Sequence, residues 1–172
     1  MNISLLRLGH RIFRDQRISS HVFLTARAFG VKQGWYTGQK DLSLEGSLSR
    51  IADQWGGSFS LKHEEKYQHV LKKGKGKVVH LTAYGLPFKK HIKTIRKEKN
   101  LLIVVGGEKV PSEIYQKADW NLSVSSQPIS EVSALGIFLY ELLGVFQSFP
   151  GAQLKIIPEA KGKNVISLGK KQ

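Results

Sequence analysis

The sequence predicts an α/β protein with a mostly parallel sheet and helices on both faces. Three observations carry this. Strand-like and helix-like segments alternate through most of the chain. The run Leu101–Val105 is apolar at every position, as suits a parallel strand covered on both sides. Beyond it, Glu131–Phe146 carries Val132, Leu135, Leu139, Leu142, Leu143 and Phe146 at helical spacing, with Ala134, Ile137, Phe138 and Val145 opposite. A helix apolar nearly all round is buried, within the chain or against another subunit. At 172 residues, with no repeats or linkers, the chain reads as one domain over 1–172.

Taken in order, Ser4–Leu8 reads as a first strand, and Gly9 to Arg17 as a loop. Ser19 or Ser20 caps a helix that Gly30 stops after Phe29. Gly34–Gly38 is a second strand. Leu44, Leu48, Ile51, Ala52 and Trp55 define an amphipathic helix ended by Gly56-Gly57. Ser58–Leu61 is a strand, Glu65–Lys72 a helix and Lys72–Lys77 a basic loop. Val78–Gly85 is a strand and Pro87–Glu98 a basic helix. After Leu101–Val105 come the turn Gly106–Pro111 and the short run Trp120–Val124. Ser125–Ser130 is a loop whose last residue caps the long helix, with Glu131 in its first turn. The lysine-rich tail from about residue 153 holds two apolar runs, Leu154–Ile157 and Val165–Leu168, which form either a small edge hairpin or a mobile arm.

Charge narrows the function. Lysine and arginine number 27 against 13 acids, a net charge of +14 and a pI near 10.0. That is the footprint of a phosphate-rich partner. Five of the seven arginines (Arg7, Arg11, Arg14, Arg17 and Arg27) lie in the first 27 residues, where there is no lysine. Arginine offers a planar fork of donors and lysine a mobile point charge, so the amino-terminal region predicts a geometrically defined site. With no cysteine, no signal-like start and no apolar run of membrane length, the chain is expected to be soluble and cytoplasmic.

Several chemistries are absent. The six histidines show no metal spacing, and there is no nucleophile elbow, P-loop or Gly-x-Gly-x-x-Gly fingerprint. What remains is three glycine or serine loops at strand ends: Leu81–Gly85, Gly106–Pro111 and Val124–Glu131. Such loops present backbone groups to an adenosine-like cofactor, with Gln127 and Glu131 as polar side chains. The plainer reading is three ordinary strand-to-helix turns. Trp35, Trp55 and Trp120 fall within apolar patterns and read as core.

Motifs in order along the chain carry a resemblance. Arg7-Leu8-Gly9-His10-Arg11, Arg14-Asp15-x-Arg17, His21-Val22 and Ala26–Gly30 resemble the opening of the archaeal tRNA (cytidine-56) 2′-O-ribose methyltransferases. Val79–Gly85, Gly106-x-Glu108-Lys109-Val110-Pro111 and Val124-x-x-Gln127-Pro128-x-Ser130-Glu131-Val132 resemble its later motifs. The sequence departs from the pattern at Ala83, Gly107, Ser125 and Ile129. The resemblance implies the SPOUT superfamily, a carboxy-terminal trefoil knot, a homodimer with a shared active site, tRNA as substrate and S-adenosylmethionine as cofactor. By position, the cofactor contacts it implies are Leu81; Gly106, Gly107, Glu108, Lys109 and Val110; and Val124, Ser125, Ser126, Gln127, Pro128, Ile129, Ser130 and Glu131. In related ribose methyltransferases an arginine activates the ribose hydroxyl. Carried over, the leading candidate is Arg17 and the second Arg14, with a phosphate contact as the plainer reading of each. His10 and Arg11 read as RNA contacts. Two other readings stay open: the same chemistry on a different RNA, or a non-catalytic RNA-binding module.

Overall fold

The computed structural model describes residues 1–74, 76–107, 109–144 and 149–169. Six strands form one parallel sheet: β1 (Asn2–His10), β2 (Gln33–Gly38), β3 (Ser60–His63), β4 (Lys77–Pro87), β5 (Asn100–Gly106) and β6 (Trp120–Ser123). Their order is β3-β2-β1-β5-β4-β6, with every neighbouring pair parallel.

β5 shows why the sheet is buried on both sides. Leu101, Ile103 and Val105 enter the larger core, beneath the helices α1 (Ile12–Ala28), α2 (Leu42–Trp55) and α6 (Glu131–Leu143). Leu102 and Val104 point the other way, toward Val70 of α3 (Tyr67–Lys73) and Ile114 of α5 (Ser112–Lys117). An uninterrupted apolar run thus serves two cores through the two-residue period of a strand. Among the described residues no helix is long and apolar enough to cross a membrane.

Four expectations need correction. First, the segment after β1 is helical from Ile12, so Arg14 and Arg17 lie on α1 and not in a loop. Ser19 and Ser20 do not cap it. Asp15 takes the backbone N–H and the guanidinium of Arg11, at 3.2 and 2.8 Å, and so ties the first turn. Ser19 bonds His10, while Ser20 donates back to the Gln16 carbonyl. Second, Pro87–Glu98 is not one helix. It breaks into a 3₁₀ turn, Phe88–Lys90, and a single turn, α4 (Ile92–Ile95), where Lys89, Lys93 and Lys97 would repel at four-residue spacing. Third, the turn Gly106–Pro111 does not lead straight to the run from Trp120: the short helix α5, under two turns long, stands between them. Fourth, the long helix stops at Leu143, where Gly144 has φ +83°; Val145 and Phe146 lie outside the described residues.

The tail pairs β7 (Leu154–Ile157) with β8 (Asn164–Ser167) as an antiparallel hairpin, separate from the main sheet. It hangs on the end of α2 through Gln153 N–H donating to the Gln54 carbonyl at 2.9 Å.

Candidate functional site

β4, β5 and β6 end at a common rim, and beyond it opens a cavity of about 500 Å³. β4 pairs with β6 twice, Leu81 and Leu86 both standing opposite Leu122, so residues 82–85 swing out and return. Gly85 makes this possible. A β carbon there would lie 2.5 Å from the Leu122 nitrogen.

The cavity gathers most of the residues expected to hold a cofactor. Leu81 comes from β4, and Gly106, Gly107 and Val110 from the turn after β5. Val124, Ser125, Pro128, Ile129, Ser130 and Glu131 come from the loop leading into α6. Lys109, Ser126 and Gln127 are not on its wall, and Glu108 lies outside the described residues. Ser125 fits without strain, since no described non-glycine residue has a positive φ. Its carbonyl accepts the Ser123 hydroxyl and its Oγ accepts the Gln127 N–H, which shapes the loop from within.

The arginines are placed differently. Arg17 lines a separate hollow of about 260 Å³ between α1 and α2, with His21, Ser20, Ser43 and Ser47. Arg14 is exposed and sits one helical turn before Ile18, which does line the cavity. Within one chain the cavity is therefore nearer Arg14's face of α1. His10 is fully buried, bonded to Ser19 Oγ at 2.7 Å and Asp41 Oδ2 at 3.3 Å, and so belongs to the fold and not to an RNA surface.

Two buried polar groups, one behind the cavity wall and one on it, add to the residues expected from the sequence. Arg7, 2% exposed in β1, donates through Nη2 to Glu131 Oε1 at 2.8 Å. An arginine between Leu6 and Leu8 in a buried strand demands a carboxylate partner; that was the signal available in the sequence. His80 is the other. Asn121 Nδ2 donates to the Tyr115 carbonyl, which leaves Asn121 Oδ1 to accept from His80 Nδ1–H at 2.8 Å. His80 Nε2 is then a bare acceptor without a partner among the described residues.

Burial lowers the pKa of both His80 and His10 below the ordinary 6.5. As pH falls through 6.5 the unfolded chain takes up protons that the folded chain refuses. Stability is therefore complete above that point and falls below it. Each histidine is expected to remove up to about 1.4 kcal/mol per pH unit. Urea unfolding at pH 7.5 and 5.5 measures this, and equal midpoints would refute it.

A family model described as "tRNA ribose 2′-O-methyltransferase, aTrm56" matches residues 55–166. The chain is 46% identical to a tRNA (cytidine(56)-2′-O)-methyltransferase of Archaeoglobus fulgidus, over 97% of this chain and 99% of that one. It is 45% identical to the protein of the same name from Nitrosopumilus maritimus, over 96% of each. Among solved structures, the TrmH/SpoU tRNA modifying enzyme of A. aeolicus superposes with a TM-score of 0.62 at 18% identity, covering 83% of this chain and 74% of that one. The SpoU methyltransferase AviRb of Streptomyces viridochromogenes, in complex with AdoMet, gives 0.57 at 15% identity, covering 82% and 56%. These last two show a shared fold.

Proposed function

The chain belongs to the aTrm56 family of tRNA ribose 2′-O-methyltransferases, and from that premise we propose that it methylates the 2′-hydroxyl of cytidine 56 in tRNA, using S-adenosylmethionine. The observation that carries this is identity of 46% and 45%, over nearly the whole chain, with two enzymes of that name, joined to a cavity at the carboxyl ends of parallel strands. The cavity's residues fit the cofactor. Its volume lies in the range of small-molecule sites, its rim is backbone-rich at Gly106 and Gly107, and His80 Nε2 offers an unused acceptor. Leu81, Gly106, Gly107, Val110, Val124, Ser125, Pro128, Ile129 and Ser130 would hold the group, which when bound supplies a methyl on a sulfonium that departs as a neutral thioether.

The chain's own task is on the ribose side, where a poor nucleophile must be aligned and its developing charge met. Arg14 suits the charge-stabilising role, standing over the cavity's side of α1. Arg17, among serines and His21, suits a phosphate. Apolar side chains stand exposed on α6, Ile137 at 43% and Tyr140 at 55%, and Ile18 and Ile129 are exposed at the cavity. They support a homodimer with a shared site. The fold shared with TrmH/SpoU enzymes, with the motif resemblance to the SPOUT superfamily, supports the trefoil knot. We read residues 1–172 as one domain with its tail hairpin docked on α2, acting in the cytoplasm where tRNA is found.

Transfer of labelled methyl to an unmodified tRNA transcript, with the product nucleotide mapped, tests this. Label on the ribose of cytidine 56 is expected. Label on another nucleotide would replace the target; no label and no cofactor binding would leave an RNA-binding module. In the same assay, Arg14→Ala is expected to lower kcat about 100-fold with KM for tRNA little changed. Arg17→Ala should instead raise KM and reduce the slope of log affinity against log salt by about one. The reverse pattern would exchange their roles.

A further inference from the structure

Unmet hydrogen-bonding capacity concentrates at one pair. Five buried side-chain polar atoms have no partner among the described residues, and three of them are Arg7 Nε, Arg7 Nη1 and Glu131 Oε2. A pair built only to hold the fold would close on itself, because each orphan costs stability. Here Arg7 occupies Oε1 and leaves the buried Oε2 without a partner, in a residue that lines the cavity. Oε2 is an acceptor lacking a donor.

The position selects the donor. Glu131 opens α6, which packs against α1, and α1 supplies both Ile18 to the cavity wall and the arginine-rich face suited to RNA. His80, the other open acceptor, lies across the sheet against Tyr115 at 4.7 Å, away from that face. A guanidinium carries donors and no acceptor atom, so the roles left to Arg14 and Arg17 are charge stabilisation and phosphate contact.

We propose that Glu131 takes the proton of the acceptor ribose 2′-hydroxyl, with Arg7 as the positioning residue that fixes its carboxylate; this rests on the methyl-transfer reading above. The O–H bond breaks toward Oε2. The oxygen's electron pair forms the new O–CH₃ bond, and the C–S pair returns to sulfur as the thioether. Glu131, now a neutral acid, releases its proton to solvent once the product leaves.

Glu131→Gln keeps the shape and removes the base. At saturating cofactor and tRNA its single-turnover rate is expected to fall about 10²–10⁴-fold. Cofactor affinity by calorimetry should stay within about threefold. A readout without chemistry is tRNA binding with ribose against 2′-deoxyribose at position 56. The wild type should prefer the hydroxyl about tenfold, and Glu131→Gln should lose that preference, because the hydroxyl is where the two sugars differ. Formate added to Glu131→Ala should restore part of the rate.

A Glu131→Gln rate within threefold of wild type would overturn the assignment. So would a cofactor affinity that falls in step with the rate, which would put the carboxylate on the cofactor's own ribose. A wild type that methylates no tRNA would sink the methyl-transfer reading itself, whatever the variant does.

Discussion

Arg7→Met is expected to destabilise the protein by about 3–5 kcal/mol, because it strands the Glu131 carboxylate in a buried site with its Oε1 partner gone. Methionine fills much of the same volume, so the loss is electrostatic and not a cavity. The double variant Arg7→Met/Glu131→Leu removes both charges. It should recover most of that stability, since replacing a whole buried pair by apolar groups is often neutral or better. Urea unfolding of the wild type, each single variant and the double closes the cycle. A coupling near zero would mean that the pair holds nothing. Full recovery of stability with no recovery of methyl transfer would separate the pair's structural role from its chemical one.

Gly85→Ala is the other change with a large expected effect. The added β carbon would sit 2.5 Å from the Leu122 nitrogen and 2.6 Å from the Asn121 carbonyl carbon and oxygen. These are backbone atoms, which cannot rotate aside as a side chain would. β4 and β6 must part, at a cost of about 2–3 kcal/mol. Asn121 moves with β6, and its bond to His80 goes with it. Cofactor affinity is expected to fall at least tenfold. A variant with unchanged unfolding midpoint and unchanged calorimetric affinity would show that the close approach is not required.

Much of the fold was legible because period and burial agree. Leu101–Val105 has no polar residue to mark a solvent face, and the strand has none. The cap at Ser130 was legible for a similar reason: its Oγ accepts the Val132 N–H, a bond made within three residues. The start of α1 was not, because what holds it is the reach of Asp15 back to Arg11, while the serines that look like caps are spent on His10 and on the helix's own backbone. α5 was lost for want of length. Within the site, the loops at the strand ends could be read because glycine and serine are local signals. The Arg7–Glu131 pair spans 124 positions, and no local pattern joins residues so far apart. Likewise, that Arg17 faces α2 while Ile18 faces the cavity follows from the rotation of α1 on the sheet, which spacing alone leaves undetermined.

The central place of β1 has a consequence for how the chain is made. Its nine residues pair with β2 on one side and β5 on the other, Asn2 meeting Asn100. During synthesis β1, β2 and β3 can assemble early, yet the second edge of β1 must wait until residue 100 has been translated. At about 5–20 residues per second that edge stays open for roughly 5–20 seconds. An unpaired strand edge carrying Ile3, Leu5, Leu6 and Leu8 invites pairing with other chains. Parallel pairing over such separations is also slow. The nascent chain should therefore be most prone to aggregate, and most dependent on chaperones, while its length lies between β3 and β5.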